Sequence, residues 1–131
     1  MRFKILLLII TIVGCSNVKN IGIKKHGYYC SNENDRLYVF YIYEFVSVET
    51  LREHAMKIDH DLGRTTIQYY LSHNASIPVR ELSESTNFKE AQSLMRKYSY
   101  NNKYIFMTNK EGKNRFIDCD LNPEDGLCNP E

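Results

Sequence analysis

The 131-residue chain has no tryptophan and only six glycines, spread along its length. It contains no GxSxG elbow, no phosphate-cradling glycine loop and no dinucleotide motif, which removes the most specific local marks of several enzyme classes. No cofactor is expected. Histidine is sparse too: His26, His54, His60 and His73 include no pair at i, i+4, so the helical zinc pattern is missing and no metal site is expected. His54 and Asp61 fall on one helix face, but seven residues at a rise of about 1.5 Å put them roughly 10 Å apart, too far for a hydrogen bond. No catalytic residue is assigned. Apolar runs are short throughout, and none reaches the roughly 20 residues that a membrane-spanning helix requires.

What is present begins at the first residue. Arg2 and Lys4 precede the uncharged stretch from Ile5 to Val13, which Gly14 and Cys15 close. A positive start followed by an apolar core of about 7–15 residues is the pattern of an export signal. Its end, Ile12, Val13, Gly14 and Cys15, resembles the lipobox of bacterial lipoproteins, in which an aliphatic residue, a tolerated residue and a small residue stand before an obligatory cysteine. The resemblance covers only the first 16 residues. It implies cleavage after Gly14, a diacylglyceryl thioether on Cys15 and often a third acyl chain on the new amino terminus. The partner so implied is a membrane, cell or outer, with the domain outside the cytoplasm.

Charge agrees with that reading. Removal of residues 1–14 leaves 117 residues with 15 Lys and Arg against 16 Asp and Glu, a formal charge of −1. Two or three acyl chains hold stably without a polybasic patch, whereas one holds only marginally. Nucleic acid is excluded as a partner, because it selects a concentrated basic footprint that this chain lacks.

The mature length suits one domain. Residues 1–14 are assigned to the signal peptide, 15–35 to the lipidated terminus and a tether, and 36–131 to a single α+β domain. Within the tether, Ile21, Ile23, Tyr28 and Tyr29 suit a short edge strand. Residues 37–46, LYVFYIYEFV, have the aromatic and β-branched content of a strand. Val48, Leu51, Ala55, Ile58 and Leu62 then recur at helical spacing, with Ser47 placed as N-cap and Gly63 as the terminating glycine. TTIQYYLSHN reads as a strand with Ile67, Tyr69 and Leu71 on one face and Thr66, Gln68 and Tyr70 on the other. IPVREL reads as a short edge piece. Asn87 and Glu90 have capping-box spacing ahead of a stripe through Phe88, Ala91, Leu94, Met95 and Tyr98. KYIFMT and NRFIDC flank NKEGK as a hairpin. The expectation is a two-layer sandwich: a mixed four-stranded sheet in the order β-α-β-α-β-β, with two helices mainly on one face.

Cysteine and tyrosine are the informative side chains. With Cys15 acylated, Cys30, Cys119 and Cys128 remain in an oxidising compartment. Carboxylates on both sides of Cys119 disfavour a thiolate there. CDLNPEDGLC, with Pro123 and Gly126 to turn the chain, points to a Cys119–Cys128 bridge; Cys30 with either partner, or no bridge, are the alternatives. Ten tyrosines form the one conspicuous excess. Tyr38, Tyr41, Tyr43, Tyr69 and Tyr70 fall on two strands and suit either a recognition surface for protein or glycan or a sheet face half covered by helices. The function expected is a lipid-anchored, non-catalytic binding or accessory domain with a protein partner in the envelope, immunity or inhibitor type included. The alternative is a small envelope hydrolase using His54 or His73.

Overall fold

The computed structural model describes residues 22–128 and contains an α+β domain built on one mixed sheet of five strands. The strands are β1 (Ile23–Cys30), β2 (Arg36–Ile42), β3 (Thr66–Ser72), β4 (Asn102–Thr108) and β5 (Asn114–Asp118), and they lie side by side in chain order. β1 and β2 are antiparallel, β2 and β3 parallel, and β3, β4 and β5 successively antiparallel. The parallel step requires a crossover, which α1 (Val48–Met56) supplies. α2 (Val79–Ser83) and α3 (Phe88–Lys97) occupy the connection from β3 to β4.

The expected four strands become five because the short edge strand read within the tether forms, as β1 at one edge of the sheet. IKKHGYYC shows no clean alternation of period two, since the pairing register of β1 shifts between Lys25 and Gly27. Gly27 sits where a Cβ would lie 3.2 Å from Val79 Cγ1 and 3.3 Å from Leu82 Cδ2, so α2 packs directly over the β1 backbone. Residues 23–30 therefore belong to the folded domain.

The two helical layers also differ from the expectation. Leu37, Val39, Ile67, Tyr69, Leu71 and Ile105 pack with Leu82, Ala91 and Met95 from α2 and α3. The opposite face carries Phe40, Tyr70 and Phe106, which pack with Leu51 and Ala55 from α1. Helices thus cover both faces and the arrangement has three layers, which explains why Thr66 through Leu71 is a continuous run of buried residues. The division of β3 into an Ile67, Tyr69, Leu71 face and a Tyr70 face is the one its alternation predicts.

Local signals place the helix starts. Ser47 Oγ accepts the Thr50 amide, and Asn87 Oδ1 accepts the Glu90 amide at 2.8 Å. Glu90 returns its carboxylate one residue upstream of the cap, to the amide of Thr86. α1 stops at Met56, so the stripe expected through Ile58 and Leu62 is cut short and Leu62 is exposed. Arg36 holds the chain after that stop, donating to the Asp59 carbonyl and, at 3.1 Å, to the Asp61 carboxylate. IPVREL is helical from Val79 instead of extended: Pro78 occupies the N-cap position, and Leu82 donates its amide to the Pro78 carbonyl. The NKEGK hairpin forms as expected, with Asn109 Oδ1 accepting the Glu111 and Lys113 amides and Gly112 at φ 79°.

Cys119 and Cys128 form a disulfide that closes the chain after β5, and both are buried. Cys30, at the end of β1, is a free and exposed thiol.

Candidate functional site

The sheet separates the five singled-out tyrosines. Tyr69 and Tyr41 face α2 and α3 and are buried. Tyr70 faces α1 and is fully enclosed. Burial pushes the phenol pKa values of Tyr69 and Tyr70 upward. These three are core residues, in keeping with the reading of a sheet face covered by helices. Tyr38 is half-buried on the α1 face, and Tyr43 is exposed beyond the end of β2.

A smaller aromatic shelf does form where α1 leaves the β1–β2 side of the sheet uncovered. The Tyr28 ring lies 5.0 Å from Tyr38, and Tyr38 stacks against Phe40 at 5.8 Å. Lys25 Nζ stands over both phenols, 4.4 Å from the Tyr28 centroid and 5.5 Å from that of Tyr38. The register explains the grouping, since Lys25 pairs with Phe40 and Tyr28 with Tyr38 across the β1–β2 ladder. Burial and then the hydrogen bond and charge of Cys30 raise the Tyr28 phenol to about 12. Tyr28 therefore keeps its proton at neutral pH and presents a donor beside a cation. Such a shelf combines flat apolar area, hydroxyl groups and one positive charge, which suits recognition of a protein surface. Tyr28 is legible in the sequence as an edge-strand residue, but neither its place beside Tyr38 nor that of Lys25 is, since strand pairing alone sets them.

Next to the shelf, the polar groups of β3 and α1 are connected inward. Gln68 Nε2 donates to the Ala55 carbonyl at 3.0 Å, which turns Gln68 Oε1 toward the Tyr70 hydroxyl at 2.8 Å. Tyr70 gives its single proton to Gln68, so His54 Nδ1, 2.8 Å from the same hydroxyl, must supply the proton of its own bond. The His54 ring meets Phe40 edge to face at 4.7 Å. Burial, and secondarily the charge of Lys57, lowers the His54 pKa below its ordinary value. His73 lies at the opposite end of β3 from Thr66, with its ring stacked on Tyr43 at 5.4 Å and Nδ1 3.3 Å from the Ile42 carbonyl. Neither imidazole hydrogen-bonds a carboxylate among the described residues, where the hydrolase alternative requires one.

Among the described residues, no group of three His, Cys, Asp or Glu side chains is arranged to hold a metal ion, and no helix is long and apolar enough to cross a membrane. Cys15 and the rest of the lipobox lie outside the described residues. No family model, curated protein or solved structure matches the chain.

Proposed function

We propose that the protein is a membrane-anchored lipoprotein whose small domain acts by binding an envelope protein, as an accessory or an immunity-type inhibitor, rather than by catalysis. The anchor rests on Ile12, Val13, Gly14 and Cys15 at the end of the export signal. The observation that carries the binding reading is the division of labour on the α1 face. His54, the histidine nearest the core, is committed through Nδ1 to Tyr70, which is itself committed to Gln68. General acid–base catalysis needs an imidazole held by a second group that supports its charged form; the group that holds His54 is a phenol hydroxyl, and no carboxylate hydrogen-bonds the ring among the described residues. Beside that closed relay, Lys25, Tyr28 and Tyr38 are turned outward together. Hot spots of protein interfaces favour this combination of aromatic area with a polar tip.

The test is site-specific photo-cross-linking in native membranes. A photoreactive side chain in place of Lys25 should give a protein adduct that the same side chain in place of Lys110, on the β4–β5 turn, does not give. Equal labelling at the two positions would count against the shelf as the binding surface. Cys15→Ser should abolish acyl labelling and release the mature domain or leave it uncleaved; unchanged acyl labelling would remove the lipoprotein reading.

A further inference from the structure

The described chain starts at Gly22, and Gly22 is fixed to one corner of the domain. Its carbonyl accepts the Tyr43 amide at 2.8 Å, its φ is 76°, and a Cβ there would come within 3.0 Å of Glu44 Cβ. The chain that leads back to Cys15 therefore leaves the domain beside the loop between β2 and α1. That loop carries Tyr43, 48% exposed, and Phe45, 100% exposed. A phenylalanine with its entire ring in water, at a point fixed by a neighbouring backbone hydrogen bond, has no role in the core.

The strand directions sort the other exposed apolar side chains. Val48, Tyr100 and Leu121 also lie at the end of the sheet where β1 begins and β2 and β3 finish, whereas Met56 and Leu62 lie at the opposite end. Gly22 follows Cys15 by seven positions, and at about 3.3–3.6 Å per step these span at most about 25 Å. An acylated Cys15 sits at the headgroup level. The end bearing Phe45 is then the end within reach of the bilayer, and strands of seven residues at about 3.3 Å each hold the far end roughly 23 Å further out.

We infer that the Tyr43–Phe45 loop is a membrane contact: Phe45 enters the interface of the bilayer that holds the anchor, Tyr43 lies at headgroup level, and the domain is thereby oriented. This rests on the lipoprotein reading given above. Aromatic side chains with an apolar body and a polar tip favour the membrane interface. Lys24 stands against Glu44 and Glu49 around the loop, a net charge of −1, so the contact rests on apolar area and does not depend on anionic lipid. With this end against the membrane, the β1–β2 shelf of Tyr28 and Tyr38 faces sideways along the bilayer, open to a neighbouring protein.

The absence of tryptophan makes the test direct. Phe45→Trp in the full, lipidated chain gives a single reporter, and Leu62→Trp gives the control at the far end. Both proteins are reconstituted in phosphatidylcholine vesicles with and without bromine on the acyl chains, and flotation is recorded alongside emission. We expect both proteins to float, the Phe45→Trp emission to shift to the blue and lose most of its intensity with brominated lipid, and Leu62→Trp to do neither. A Phe45→Trp protein that floats but is not quenched overturns the inference and leaves the anchor standing. Blue-shifted emission without quenching overturns it as well, since the ring is then covered by protein. Failure to float, with Cys15→Ser behaving the same, overturns the lipoprotein reading and the inference with it.

Discussion

His54 Nδ1 and the Tyr70 hydroxyl stand 2.8 Å apart, and the direction of the Gln68 amide decides that the histidine is the donor. The pair joins α1 to β3 across a face otherwise filled by Phe40 and Phe106. Tyr70→Phe keeps the ring but leaves Gln68 Oε1 without its donor in a site where Gln68 is 2% exposed. An unsatisfied buried acceptor costs about 1–3 kcal/mol. Chemical denaturation of Tyr70→Phe should show a loss in that range with unchanged secondary structure; an unchanged midpoint would mean that the relay contributes nothing.

Acid should weaken the fold before its carboxylates titrate. His54 and His26 both have folded-state pKa values below the ordinary 6.5, burial being the first cause in each. The unfolded chain then binds more protons than the folded one in this window, so stability rises with pH. The contribution is fully present above 6.5 and is lost as pH falls through the lower folded values. Thermal midpoints measured from pH 7.5 downward should fall below 6.5, and His54→Gln should flatten part of that slope. A midpoint independent of pH across that window contradicts the placement of both rings.

The domain should not survive removal of β1. Tyr29 is buried in the main core, and α2 rests on the backbone at Gly27. A chain beginning at residue 36 exposes the β2 edge and the apolar side of α2, and circular dichroism should find it unfolded or aggregated. A chain beginning at residue 22 should fold cooperatively. Equal stability of the two would return residues 23–30 to the status of a tether.

The Cys119–Cys128 bridge should matter thermodynamically. Closing a loop of sequence separation 9 contributes on the order of 2–3 kcal/mol in the chain-entropy description. Replacing both cysteines by serine should lower stability by about that amount, and more if the two buried positions reject the hydroxyls. Non-reducing peptide mapping of exported protein should recover the two peptides joined and Cys30 free.

Caps, turn residues and alternation are local, and they were legible. Ser47, Asn87, the NKEGK turn and the two faces of β3 follow from a few residues each. The missed features depend on contacts distant in sequence. β1 reads as no more than a short edge strand because its register shifts at Gly27, and that glycine is explained only by α2, some fifty residues later. α1 ends early although Ile58 and Leu62 extend its apolar stripe, and the chain after it is held by Arg36 from β2, a contact distant in sequence. Tyr41, Tyr69 and Tyr70 look available in the sequence, and they are buried because helices cover both sides of the sheet. For the same reason Lys25 and Tyr28 were missed as partners of Tyr38: strand pairing alone brings them together.

The proposed function is that of an anchored domain working through the β1–β2 shelf and not through a histidine. Affinity capture of the full, acylated protein from its native membranes tests it most directly, with wild type, His54→Gln and the double variant Lys25→Glu, Tyr28→Ala compared at equal membrane abundance. Wild type and His54→Gln should recover the same partner protein, and the shelf variant should lose it while remaining folded and anchored. Loss of the partner or of biological activity in a folded, anchored His54→Gln protein, with the shelf variant unaffected, would contradict it and favour the hydrolase.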